Sequence, residues 1–100
     1  MSDSAVLIEL FQVIESRRGT PPEQSYTAQL FAKGSAKIAQ KVGEEAVETV
    51  IAGLTDDHGE LVYESADLLY HLLVFWADKG VTPDEVFAEL RKRRLEMGNS

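Results

Sequence analysis

The sequence carries two acidic helical edges in close succession. The first is Lys37-Ile38-Ala39-Gln40-Lys41-Val42-Gly43-Glu44-Glu45-Ala46-Val47-Glu48, and the second, fifteen residues later, is Glu64-Ser65-Ala66-Asp67. On a helix, residues three or four apart share a face. Lys37, Lys41, Glu44/Glu45 and Glu48 therefore form one stripe, amines first and carboxylates last. Glu60, Glu64, Asp67 and His71 form a second stripe on a second helix. Packed antiparallel, the two helices bring Glu45, Glu48, Glu64 and Asp67 to one point. Four carboxylates at one point repel unless a cation joins them, and an oxygen-only set suits Mg²⁺ or Mn²⁺. The lysines one to two turns away suit the phosphates that such an ion carries. The pattern points to an enzyme acting on a nucleotide polyphosphate.

Working outward, the segment from Ser35 to about Leu54 reads as one helix, with Ser35 as its cap and Ile38, Val42, Ala46, Val50 and Leu54 as its apolar stripe. Lys37 and Lys41 oppose the helix dipole and face each other as like charges. Gly43 in the interior costs ~1 kcal/mol relative to alanine. Such departures from local rules read either as a functional site, where Gly43 leaves room for a ligand or a neighbouring backbone, or as a solvated charged face with a tolerated glycine. Thr55-Asp56-Asp57-His58-Gly59 reads as a polar hinge. The next helix, about Glu60 to Lys79 with Gly80 as its cap, is apolar over most of its circumference and is expected to be buried. Carboxylates on a buried helix need partners or shift their pKa upward. His71 among leucines reads either as a satisfied core residue or as a ligand contact.

Toward the N-terminus, Ser2 or Ser4 can cap a helix carrying Val6, Leu7, Leu10, Phe11, Val13 and Ile14, with Arg17 and Arg18 at its negative end. Gly19-Thr20-Pro21-Pro22 stops it. Pro21–Gln24 is expected to be a loop, and Ser25 to cap a short segment Tyr26–Lys33 ended by Gly34. Toward the C-terminus, Thr82-Pro83-Asp84-Glu85 is a capping-box signature for a last helix with Val86, Phe87, Leu90 and Leu95 on its buried side. Arg91-Lys92-Arg93-Arg94 serve its dipole end and solubility, and Gly98-Asn99-Ser100 should fray. No strand alternation is visible. The expectation is an all-α, antiparallel bundle of four main helices in one domain spanning 1–100, with its core at about 4–97.

One hundred residues bury a modest fraction of chain surface, which makes oligomerisation a natural supplement. The net charge of −7 argues against nucleic acid as a partner. The absence of cysteine excludes thiolate zinc sites and disulfides. Met1-Ser2-Asp3-Ser4 lacks a basic leader, and the run Leu72–Ala77 falls far short of the ~20 residues of a membrane span. A cytoplasmic protein without membrane partners is expected.

The arrangement Glu45-x-x-Glu48…Glu64-x-x-Asp67 resembles the metal-binding signature of the MazG-like all-α nucleotide pyrophosphohydrolases. Ser25-Tyr26-Thr27, Leu30-Phe31, the Lys37–Glu48 block and Glu64-Ser65-Ala66-Asp67-Leu68-Leu69-Tyr70-His71-Leu72 are similar, more closely, to the phosphoribosyl-ATP pyrophosphohydrolase family. The resemblance covers nearly the whole chain. It implies Mg²⁺-dependent hydrolysis of the α–β phosphoanhydride of 1-(5-phosphoribosyl)-ATP to phosphoribosyl-AMP and pyrophosphate, the second step of histidine biosynthesis. It implies Glu45, Glu48, Glu64 and Asp67 as metal ligands, with Glu44 and Glu48 as the catalytic acids and Glu44 orienting or deprotonating the attacking water. It implies Lys37 and Lys41, with Lys33, Ser25 and His71, as phosphate and substrate contacts. It implies a homodimer or larger assembly, and a form not fused to a cyclohydrolase. Three rivals remain: a house-cleaning NTP or dUTP pyrophosphatase of the same superfamily, a non-enzymatic helical dimer, and a di-iron bundle. The last needs Glu-x-x-His pairs, which the chain lacks.

Overall fold

The computed structural model describes residues 5–98. Their order is α1 (Val6–Ser16), a single 3₁₀ turn (Pro22–Gln24), α2 (Tyr26–Lys33), α3 (Ser35–Leu54), α4 (His58–Lys79) and α5 (Pro83–Met97). No strand occurs among the described residues. The caps expected of Ser2 and Ser4, and the fraying of Asn99 and Ser100, lie outside them.

The helix ends follow their capping chemistry, with three departures from expectation. Gly34, at φ 95°, is the N-cap of α3, a conformation that excludes a side chain. Ser35 is already helical, and its hydroxyl donates instead to the Asp78 carboxylate on α4. The polar hinge is shorter than expected: Asp57 accepts from the Glu60 amide at 3.0 Å, and α4 begins at His58. Asp56 takes the positive φ, 57°, that the tight turn requires. The loop expected over Pro21–Gln24 closes as the 3₁₀ turn, with Ser25 capping α2 through the Ala28 amide at 3.2 Å. As expected, Gly80 ends α4 in the left-handed conformation, and Thr82 and Glu85 form the reciprocal capping box of α5.

α3 and α4 form a long antiparallel hairpin. Ser35 meets Asp78 at one end, and the Thr49 hydroxyl reaches the Glu64 carbonyl at 3.2 Å further along. The same number of residues separates the two contacts on each helix, so the pairing stays in register. The core lies at the end of the hairpin distant from its turn: Ile14, Leu30, Ile38, Leu73, Val74 and Ala77, flanked by Leu7, Leu10, Phe11 and Phe31. Arg18 secures this end. Expected to serve its own helix terminus, it donates to the Ala77 carbonyl of α4 and lies 4.9 Å over the Phe31 ring.

The other end of the hairpin is bare. The apolar stripe expected on α3 divides: Ile38 is buried, Val42 and Ala46 are half-buried, and Val50 and Leu54 are exposed, Leu54 to 80%; Val47 and Ile51, outside that stripe, are exposed beside them. On α4, expected to be buried nearly all round, Val62, Tyr63, Ala66 and Leu69 are exposed. α1 and α2 cover only the far end, so none of the other described helices packs on this face.

Candidate active site

The acidic edges meet where the packed end of the hairpin gives way to the bare end. Glu45 on α3 and Glu64 on α4 are 4% and 8% exposed. Glu48 is exposed and Asp67 partly so. Glu45, Glu48 and Glu64 each offer a carboxylate oxygen within 4.8 Å of the others, and a second group of the same span joins carboxylate oxygens of Glu45 and Asp67 with a ring nitrogen of His71, so Glu45 belongs to both groups. The Thr49 hydroxyl holds the helices at this level, 2.7 Å from the Glu45 carbonyl and 3.2 Å from that of Glu64.

Two of these oxygens, Oε2 of Glu45 and Oε2 of Glu64, are buried without a hydrogen-bond partner. A buried polar atom is normally paired, and an unpaired one calls for an explanation. Burial, and then the Asp67 and Glu48 carboxylates, push Glu45 from an ordinary value of 4.5 up to about 7. Glu64 also rises to about 7, through Glu48 first, then burial, then Glu60. Without a cation the cluster would therefore retain protons near neutrality. Hard oxygen donors from both helices, gathered within 4.8 Å and including two buried oxygens without partners, fit Mg²⁺ or Mn²⁺ well.

A groove of about 370 Å³ adjoins the cluster, lined by Glu48, Ile51, Ala52, Thr55, Glu60 and Glu64. On the other side stands Lys41, its Nζ 3.3 Å from Glu44 and 3.6 Å from Glu45. The bond to Glu44 is the main reason its pKa is raised, so it is a durable cation beside the carboxylates. Lys37, one turn earlier, adds to the positive field around Glu44.

Other residues singled out in the sequence fall elsewhere. Glu44 belongs to neither group. It is exposed, accepts from Gln40 at 2.8 Å, and its pKa is lowered by Gln40 and then by Lys41. A carboxylate held ionised in that way is a weaker base. Lys33 ends α2 on the exposed surface. The Ser25 hydroxyl is occupied in capping α2. His71 is 3% exposed. Its Nδ1 lies 2.8 Å from the Asp67 carbonyl and 3.3 Å from Asp67 Oδ1, and its Nε2 lies 3.1 Å from the Tyr26 hydroxyl. Gly43 opens no close approach within the chain, because a Cβ there would meet nothing within 4 Å.

Sequence reasoning passed over Thr49 and Tyr26. A threonine inside a long helix, where it is a poor former, was the one available sign of the first. Tyr26 carries no such sign, since its partner stands on another helix.

The phosphoribosyl-ATP pyrophosphohydrolase family matches residues 7–94 of the chain. A phosphoribosyl-ATP pyrophosphatase of Paramagnetospirillum magneticum is 65% identical over 91 residues, which are 91% of this chain and 84% of that protein. Proteins of the same name from Azospirillum brasilense and Gluconobacter oxydans are 56% and 50% identical, over 95% and 98% of this chain and 86% and 74% of their own lengths. All four acids stand inside the matched span, on the hairpin that brings them together, and the chain belongs to the phosphoribosyl-ATP pyrophosphohydrolase family.

Proposed function

We infer that the protein hydrolyses phosphoribosyl-ATP to phosphoribosyl-AMP and pyrophosphate, the step of histidine biosynthesis for which its relatives are named. The observation that carries this reading beyond relationship is the pair of buried, unpartnered oxygens of Glu45 and Glu64. A structural helix pair has no reason to bury such acids.

In the proposed reaction a water oxygen bonds to the α-phosphorus in line with the departing group. The bridging α–β P–O bond breaks, pyrophosphate leaves with the bridging oxygen, and the proton of the water passes to a carboxylate. Glu45, Glu48, Glu64 and Asp67 would hold Mg²⁺. The bound ion supplies charge neutralisation on the phosphate oxygens and a polarised water. Lys41, and Lys37 behind it, offset negative charge on the polyphosphate. Glu48, exposed on the groove wall beside Glu64, is better suited than Glu44 to receive the proton, because Glu44 is held ionised by Gln40 and Lys41. Lys33, Ser25 and His71 have no direct phosphate role in this scheme.

The bare hairpin face supports the expected homodimer. Val47, Val50, Ile51 and Leu54, with Val62 and Leu69, follow helical spacing and are exposed. A second hairpin laid against them would complete an antiparallel four-helix bundle, each buried aliphatic side chain contributing about 1.5–3 kcal/mol. No described helix is long and apolar enough to cross a membrane, and the cysteine-free composition suits a reducing cytosol. The one helical unit is proposed to carry the activity.

The test is pyrophosphate release from phosphoribosyl-ATP, ATP and dUTP in parallel with Mg²⁺. Release from the first alone, lost in Glu64→Gln, supports the assignment. Release from dUTP or ATP alone would replace it with a general nucleotide pyrophosphatase.

A further inference from the structure

We propose that His71 and Tyr26 form a positioning relay that orients Asp67 for metal binding, so that α2, which supplies none of the acids, governs the affinity of the site for its cation. The proposal rests on the reading that the carboxylate cluster binds a divalent ion.

The chemistry of the ring decides its tautomer. Nδ1 faces the Asp67 carbonyl at 2.8 Å and the Asp67 carboxylate at 3.3 Å. A carbonyl can only accept, and so can an ionised carboxylate. A lone pair on Nδ1 would point at lone pairs, so Nδ1 carries the hydrogen. In the neutral ring Nε2 then has the lone pair, and the Tyr26 hydroxyl donates to it at 3.1 Å. The Nδ1 side selects this tautomer, and the Tyr26 hydroxyl, able to donate or accept, fits it from the opposite side of the ring. Both nitrogens are thereby used within the protein, and His71, although near Glu45 and Asp67, has no lone pair left for a metal.

The result is an N–H bonded to the Asp67 backbone carbonyl with the Asp67 carboxylate 3.3 Å from the same nitrogen, close enough to be attracted to it. It restricts the carboxylate's rotation and holds it on the side of the cluster, the same service that an outer hydrogen-bond partner gives a ligating group. Tyr26 is 48% exposed, yet its ring is braced. It stacks on Tyr70 at 6.3 Å and meets the His71 ring edge-on at 5.9 Å. Tyr70 in turn packs edge-on against His71 at 4.9 Å and shares a hydrogen bond with Thr27. The line Tyr26–His71–Asp67 thus runs from α2 through the interior of α4 to the acids.

Two replacements of His71 separate positioning from packing, because both remove the ring. The Asn amide nitrogen falls near the place of Nδ1 and can still donate to Asp67. The Gln amide reaches the place of Nε2 and cannot. Mn²⁺ binding to the metal-free protein, followed by the electron paramagnetic resonance signal of the free ion, should show His71→Asn within about 3-fold of wild type. His71→Gln should be about 10- to 100-fold weaker, the range typical of lost outer partners. Tyr26→Phe, nearly isosteric, should weaken binding by a smaller factor of about 3 to 10. Nitrogen-15 NMR of the metal-free wild-type protein should find the hydrogen on Nδ1. Equal affinities for the Asn and Gln variants, unaltered affinity in Gln, or the hydrogen on Nε2 would each overturn the relay. Absence of Mn²⁺ binding by the wild-type protein would sink the metal reading instead, while the NMR result still reports the tautomer.

Discussion

Replacing Glu45 by glutamine should stabilise the metal-free protein at alkaline pH while destroying its response to Mg²⁺. Glu45 is buried, one of its oxygens has no partner, and Asp67 and Glu48 stand beside it. Burial first, and those two acids next, raise its pKa from 4.5 to about 7. The folded state thus holds this proton more tightly than the unfolded chain does. The stability it contributes is complete below about pH 4.5 and is lost as pH rises through about 7. Each tenfold change in proton affinity is worth ~1.4 kcal/mol, so the full effect above pH 7 has a ceiling of ~3 kcal/mol. Water in the adjoining groove lowers this, and ~1–2 kcal/mol is the working expectation.

A domain of this size shifts its Tm by ~4–8 °C per kcal/mol. In EDTA at pH 8, Glu45→Gln should therefore melt ~5–10 °C above wild type, and at pH 5 the two should nearly coincide. Mg²⁺ at a hundred times its Kd adds ~2.7 kcal/mol to a protein that binds it only when folded. Wild type should gain in that way and increasingly with pH, whereas the variant should not. Melting followed by circular dichroism at one protein concentration, from pH 5 to 8.5 with and without Mg²⁺, measures all four conditions. A variant that melts below wild type at pH 8 in EDTA would refute the reasoning. So would equal stabilisation of both proteins by Mg²⁺.

Thr49→Val should cost about 1 kcal/mol, the worth of one hydrogen bond, and lower kcat by loosening α3 against α4 at the acids; chemical denaturation paired with steady-state kinetics would check it, and an unchanged kcat would remove Thr49 from the site's support. Gly43→Ala should stabilise the chain by up to ~1 kcal/mol, since the helix gains and the added carbon meets nothing; full activity in that variant would show that no substrate group needs the space. Lys41→Met should raise KM and lower kcat in the pyrophosphate assay, and unaltered kinetics would argue against its phosphate role. Leu54→Glu places a charge on the bare hairpin face and should convert a dimer to monomer in sedimentation or light scattering, whereas a wild-type protein already monomeric at high concentration would contradict the proposed pairing.

The helices were legible because their signals are local. Gly80 and the Thr82–Glu85 capping box act within a few residues of themselves. The stripe of acids was legible for the same reason, since Glu45 and Glu48, or Glu64 and Asp67, share a face on one helix. What spacing could not give was the use of each group once a second helix arrives. Ser35 looked like a cap and became the partner of Asp78. Arg18 looked like a terminus charge and became a clip on the Ala77 carbonyl. Glu44 and Glu45 are adjacent in sequence and alike in chemistry, yet one faces solvent with a lowered pKa and the other is buried with a raised one. A helix turns by about 100° per residue, and that turn alone separates the two.

The division of labour along the hairpin explains how a small domain tolerates such a costly cluster. Its aliphatic core, with the Arg18 clip, lies at one end. The acids stand beyond it, where α1 and α2 no longer cover the pair. A cluster placed inside the core would have carried a larger desolvation cost for its carboxylates and lost its open side. Placed at the margin, it has Thr49 bridging the two helices beside it and His71 against Asp67, and one side stays open to the adjoining groove. The same margin leaves Val50 and Leu54 uncovered. Site and bare face are then two consequences of one choice, a hairpin longer than the core that packs on it.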